Sequence, residues 1–138
     1  RTLPLGRGET LMLIDDDRAR LMRDEEMLAA LGYEPIGFSR PQDALAVCRS
    51  TPERYDAIVV SHAGPARSAF DLATALRAAA PHLPIVVATI SADEIDADRL
   101  AAAGRFEIVG SPLSSASIAE ALKRALTEHC NPAGLLRA

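Results

Sequence analysis

Leu11-Met12-Leu13-Ile14-Asp15-Asp16-Asp17 is the stretch that decides the fold: four apolar residues without a polar break, then three carboxylates in a row. A strand with one face in water alternates. One that is apolar at every position is buried on both faces, as the central strands of parallel sheets are. The abrupt change to aspartate marks the point where the chain leaves the interior. Asp17 is a residue type suited to cap a helix, and Asp17–Leu31 reads as that helix, stopped by Gly32.

Working outward, Ala57–Val60 and Ile85–Ala88 are apolar throughout in the same way. Glu34–Phe38 differs: Pro35 has no N–H for a ladder and Gly37 brings no side chain to pack, which places this strand at a sheet edge. In Phe106–Val109, Glu107 falls on the face opposite Phe106 and Ile108, again an edge pattern. Helical stretches Gln42–Ser50, Ala69–Ala80, Ala92–Ala103 and Ser117–His129 follow these runs, with Ser39 and Gln42 placed for a capping box. Strands alternating with helices of this length give a parallel sheet covered on both faces. With the second and fifth strands outside, the right-handed solution is the flavodoxin-like order 2-1-3-4-5, an α/β doubly wound (βα)5 sandwich. Residues 1–8 read as a linker, 9–130 as the domain and 131–138 as a tail.

Composition narrows the function. The 138 residues are 49% apolar and 25% charged, which suits one domain with a core of its own. A net charge of −4, the absence of a basic run, and only two Tyr and three Phe argue against nucleic acid as a partner. No apolar run approaches the ~20 residues of a membrane helix, and the opening residues lack the pattern of a secretory signal; no direct membrane contact is expected. Cys48 and Cys130 form neither a CxxC pair nor a disulfide framework, which fits a reducing, cytoplasmic compartment.

In a sheet of this order the site lies beyond the C-terminal strand ends, where the winding reverses between strands one and three. The residues there are Asp15, Asp16 and Asp17, then Ser61 and His62, Thr89, and Ser111-Pro112. A glycine-rich phosphate loop is missing after strand one, so a dinucleotide is not expected.

Over residues 9–130 this layout resembles the receiver domain of two-component response regulators, through LMLIDDD, LGY, YDAIVVSHAGP, LPIVVAT and Gly104…Ser111-Pro112. The resemblance implies that Asp15 and Asp16 match the family's acidic pair and Thr89 its switch hydroxyl. It also implies that Pro112 matches the proline, usually after a cis peptide bond, that follows the family's lysine. It fails at the chemistry. Ser61 stands where the phosphoacceptor aspartate belongs, Ser111 where the phosphate-pairing lysine belongs, and Ile108 where the switch aromatic belongs.

Receiver chemistry needs a carboxylate to attack phosphorus held by Mg²⁺ and lysine. A serine hydroxyl is weak without a base, and His62, adjacent along the strand, belongs to the opposite face. The expectation is a degenerate receiver, or pseudo-receiver. It is not an enzyme, has no catalytic residue, and takes no cofactor beyond a loosely held Mg²⁺ on Asp15 and Asp16. Two carboxylates without a lysine carry the same formal charge as three with one, so the paired loss reads as a rebuilt pocket. Ile108 reads as a core residue, and the domain as fixed in one conformation or moved by a partner.

The expected role is phosphorylation-independent protein contact in a phosphorelay. The partner would be a histidine kinase or phosphotransfer bundle, and a homodimer is compatible. Asp24, Glu25 and Glu26 read as an acidic, solvated patch on the first helix. The opening TLPLGRGETLMLIDDD resembles the junction before a receiver in hybrid histidine kinases. That implies a C-terminal receiver on such a kinase, with a parent protein that can itself be membrane-anchored. Two other readings stay open: a phosphorylatable receiver using Asp15 or Asp16 as a displaced acceptor, and a small-ligand binder on the same fold.

Overall fold

Three adjacent strands are sealed from water on both sides, and that sets the layering. The computed structural model describes residues 2–62, 66–90 and 106–130. The elements are β1 (Thr10–Ile14), α1 (Arg18–Ala30), β2 (Glu34–Phe38), α2 (Pro41–Ser50), a 3-10 turn (Pro52–Arg54), β3 (Ala57–His62), α3 (Ala66–Ala79), β4 (Ile85–Thr89), β5 (Phe106–Gly110) and a last helix, here α4 (Ser115–Cys130). The sheet is parallel in the order β2-β1-β3-β4-β5, so the flavodoxin-like architecture expected from the strand patterns is the one observed. The helix expected at Ala92–Ala103 lies outside the described residues.

Successive residues of the central strands feed two separate cores. Leu11, Leu13, Ala57, Val59, Val86 and Ala88 pack under α1 and α4, against Leu21, Leu28, Ile118 and Leu122. Met12, Ile14, Ile58, Val60, Ile85 and Val87 face the other way, against Ala44 and Cys48 of α2 and Ala73 and Leu76 of α3. Each such leucine or isoleucine stabilises the fold by roughly 1.5–3 kcal/mol on burial, and a one-residue slip of a strand would exchange the two sets. The edge strand β2 is less covered, and Ile36 lies exposed on it.

Gly37 has a packing role that its missing side chain conceals. A Cβ there would run into the Glu25 carboxylate and come within 3.2 Å of Leu21 Cδ1, so glycine lets the ends of these two α1 side chains lie over β2 without shifting. Gly32 ends α1 with φ 98°, a left-handed conformation that favours glycine. A Cβ on Gly32 would also meet the carbonyl of Gly6 at 2.6 Å. The N-terminal segment is held there because the Gly6 and Gly8 amides donate to the carbonyls of Leu31 and Gly32 at 2.7 Å each.

The second helix corrects a cap. Ser39 and Gln42 do not form a capping box: Arg40 is the N-cap, no side chain bonds to the first turn, and Pro41 starts the helix with a pre-set φ. At α1 the expectation holds, since the Asp17 side chain accepts from the Arg20 amide at 3.0 Å.

Candidate functional site

The C-terminal ends of β1, β3 and β4 and the segment after β5 meet at the end of the sheet where a doubly wound fold places its crevice. Ile14 is in register with Val60, so Asp15 and Ser61 are the next residues along adjacent strands. They stay in phase with Leu13 and Val59, on the side covered by α1 and α4. Ser61 is still inside β3, paired with Ala88, and His62 ends the strand opposite Thr89 instead of lying in a loop. The direction of the His62 side chain lies outside the described residues. Thr89 is buried and in phase with Ile85 and Val87 on the opposite side.

Ser111 is held by its amide, which donates to the Thr89 carbonyl at 3.2 Å, and the Ser111–Pro112 peptide is cis. The sheet therefore brings Asp15, Ser61, Thr89 and Ser111 to one end. Ile108 is only half-buried, not the core residue its apolar side chain suggested, because β5 is an edge strand and Phe106 and Val109 take its covered positions.

Ser61 lies beside Asp15 on the neighbouring strand but is not hydrogen-bonded to it. It is 2% exposed and its Oγ makes no hydrogen bond. A buried hydroxyl in that condition costs free energy and is unactivated as a nucleophile.

The feature that sequence reading missed is Arg20. Its Nε and Nη2 donate to Asp15 Oδ2 at 2.6 Å and Oδ1 at 2.7 Å, a two-pronged ion pair on a carboxylate with no exposed surface. Asp15 Oδ1 also accepts from the Asp17 amide at 2.9 Å, and Arg20 Nη1 lies 3.7 Å from Asp17 Oδ2. Hydrogen bonding to Asp15 pushes the guanidinium's pKa further up, against the opposing effect of burial. The cap bond from the Arg20 amide holds the Asp17 carboxyl below its usual range. Asp16 stays exposed. With Arg20 counted, the crevice is one unit less negative than the serine-for-lysine arithmetic implied.

A second acid is displaced from its expected place. Of the expected acidic patch only Glu26 is exposed: Glu25 is half-buried with its carboxylate over Gly37, and Asp24 is wholly buried between Leu21 and Leu28 on the inner stripe of α1. Its Oδ2 has no partner, and Oδ1 has only a long contact, 3.4 Å, from the half-exposed Arg23. Burial pushes the Asp24 carboxyl up, with Arg23 pulling the other way. The signal was available, because positions 21, 24 and 28 share a helical face.

No protein-family model matches the chain. Solved structures do. The chain is similar to a response regulator receiver domain protein from Clostridium thermocellum, with a TM-score of 0.75 at 20% identity over 87% of this chain and 95% of that one. It is similar to a receiver domain protein from Methanospirillum hungatei (TM-score 0.73, 20% identity, 88% and 96% covered). A third is the receiver domain of a sensor histidine kinase from Pseudomonas aeruginosa (TM-score 0.70, 24% identity, 87% and 98% covered), which has a magnesium ion coordinated in its active-site cleft. The fold is that of receiver domains.

The residues present do not fit that ion. Mg²⁺ takes octahedral oxygen ligands and sheds water reluctantly, so it needs carboxylates with free lone pairs. Here Asp15 is engaged by the Arg20 fork and a backbone amide, Asp16 is exposed, Asp17 is exposed and caps α1 through the Arg20 amide, and Ser61 is no carboxylate. Among the described residues no group of three His, Cys, Asp or Glu is placed to hold a metal.

Two clefts among the described residues lie at the other end of the sheet. One, of about 500 Å³, is lined by Glu9, Tyr33 and Lys123 among others; the second, about 370 Å³, by Tyr55, Pro81 and Leu83 among others. No helix of the described residues is long and apolar enough to cross a membrane.

Proposed function

We propose that this is a receiver-type module that has given up phosphoryl chemistry and acts in two-component signalling through protein contact. The observation that carries this reading is Ser61: a buried, unpartnered hydroxyl at the end of β3, where the receiver layout calls for a carboxylate. Ser111 in the lysine position and Ile108 in the aromatic position support it, since each removes a part of the phosphate-driven switch. A ligand moves an equilibrium only through different interactions with the two states, and this crevice offers a phosphoryl group neither nucleophile nor lysine. Of the two displaced acceptors, Asp15 is disfavoured because it is committed to Arg20, whereas Asp16 is exposed and remains the alternative acceptor.

The partner in this reading is a histidine kinase or phosphotransfer bundle. The domain sits on the cytoplasmic side, attached to a kinase of the hybrid kind, and has no enzymatic activity of its own. Likeness to the receiver of a sensor histidine kinase supports that attachment.

Incubation with acetyl phosphate and Mg²⁺, followed by intact-protein mass spectrometry, tests the reading. The mass stays unchanged; a stable phosphoryl adduct on the folded domain overturns it.

A further inference from the structure

The poor fit to a divalent ion has a structural cause that points further than a lost ligand. We propose that Arg20 is a tethered cation, standing in the charge-neutralising place that a divalent ion takes in a metal-binding receiver crevice, so that the domain holds its acids in place without metal and does not respond to Mg²⁺. The inference rests on reading the crevice as a former receiver site.

Three observations carry it. The guanidinium spans both oxygens of a fully buried carboxylate, at 2.6 and 2.7 Å, which is the fork geometry that arginine supplies and a point charge cannot. It reaches a second carboxylate too, Asp17 at 3.7 Å, so one cation serves the acids on both sides of the β1–α1 turn. The Arg20 side chain is 16% exposed, so it is held in the crevice and not extended into solvent.

The charges facing Arg20 are Asp15 first, then Asp17 and Asp16 from the β1–α1 turn, with Asp24 of α1 a further acid within electrostatic reach. Arginine stays protonated at any working pH. A divalent ion arriving at Asp15 would have to displace the fork, and before doing so would sit beside a like charge in a site of low dielectric.

The prediction is that putting an acid back at position 61 does not by itself restore metal binding. The test uses Mn²⁺ alone, with free ion counted by electron paramagnetic resonance, on the wild type and on Ser61→Asp, Ser61→Asp/Arg20→Met and Ser61→Asp/Arg20→Lys. Wild type takes up no Mn²⁺, and Ser61→Asp/Arg20→Met binds it roughly tenfold more tightly than Ser61→Asp does. Equal affinity in those two variants, or uptake by the wild type, overturns the proposal. If circular dichroism shows that the methionine variant does not fold, the lysine variant decides. Lysine keeps the charge but loses the fork, so binding about threefold tighter than in Ser61→Asp is expected, and no change overturns the proposal. Mn²⁺ uptake reports on Arg20 only, whereas failure of the proposed function would appear as phosphorylation of the wild type.

Discussion

Arg20 and Asp15 are joined by two hydrogen bonds, Nε to Oδ2 at 2.6 Å and Nη2 to Oδ1 at 2.7 Å, across the turn from β1 to α1. The carboxylate is fully buried and the guanidinium mostly so. Removing one partner of such a pair leaves a charge without compensation. Arg20→Met should therefore lower stability by roughly 2–3 kcal/mol, at or just below the ~3–5 kcal/mol of fully buried pairs because Arg20 keeps some contact with water. Urea denaturation at neutral pH measures it. A change under about 0.5 kcal/mol, the usual range for a surface substitution, would mean the pair contributes nothing.

Asp24 should behave in the opposite sense. It interrupts an apolar stripe between Leu21 and Leu28 and has no adequate partner for its buried carboxyl. Asp24→Leu should stabilise the domain by roughly 1–3 kcal/mol, as replacing unsatisfied buried polar groups does. A loss of stability in urea would show that Asp24 has a partner worth keeping.

The pH dependence follows from the same residue. Burial raises the folded-state pKa of Asp24 above 3.8, its value in an unfolded chain. The folded state then holds the proton more tightly. This contribution is fully present below pH 3.8 and is lost as pH rises through the raised folded value. The stability advantage of Asp24→Leu over wild type should shrink as pH falls from neutral toward 4. Asp17 acts elsewhere: its folded pKa is lowered, so its contribution is present above 3.8 and lost only at more acid pH. Urea midpoints of both proteins across this range check the sign, and a gap that widens on acidification would contradict it.

Gly32→Ala tests the C-terminal stop of α1. Alanine at φ 98° is strained, and its Cβ would press on the Gly6 carbonyl. A loss of roughly 1–2 kcal/mol is expected from the left-handed backbone alone. Unchanged thermal stability would mean the turn re-forms at no cost.

The parts of the fold that could be read from the sequence are those where one chemical pattern has one structural solution. Leu11–Ile14, Ala57–Val60 and Ile85–Ala88 carry nothing that tolerates water, so they had to be central strands. Pro35 forced its strand to the edge. Asp24 was misread because three acids in succession look like a solvated surface, although a helix turns about 100° per residue and sends Asp24 inward beneath Glu25 and Glu26. Arg20 was missed because its partner lies on the other side of a turn, and only the angle at which α1 leaves β1 brings fork and carboxylate together.

Beryllofluoride, a mimic of an acyl phosphate, tests the central claim most directly. Fluorine NMR of the domain with Mg²⁺, beryllium and fluoride should show only free species, because Ser61 gives the mimic no carboxylate to join and Arg20 already covers Asp15. A protein-bound fluoride resonance that Ser61→Ala abolishes would contradict the account.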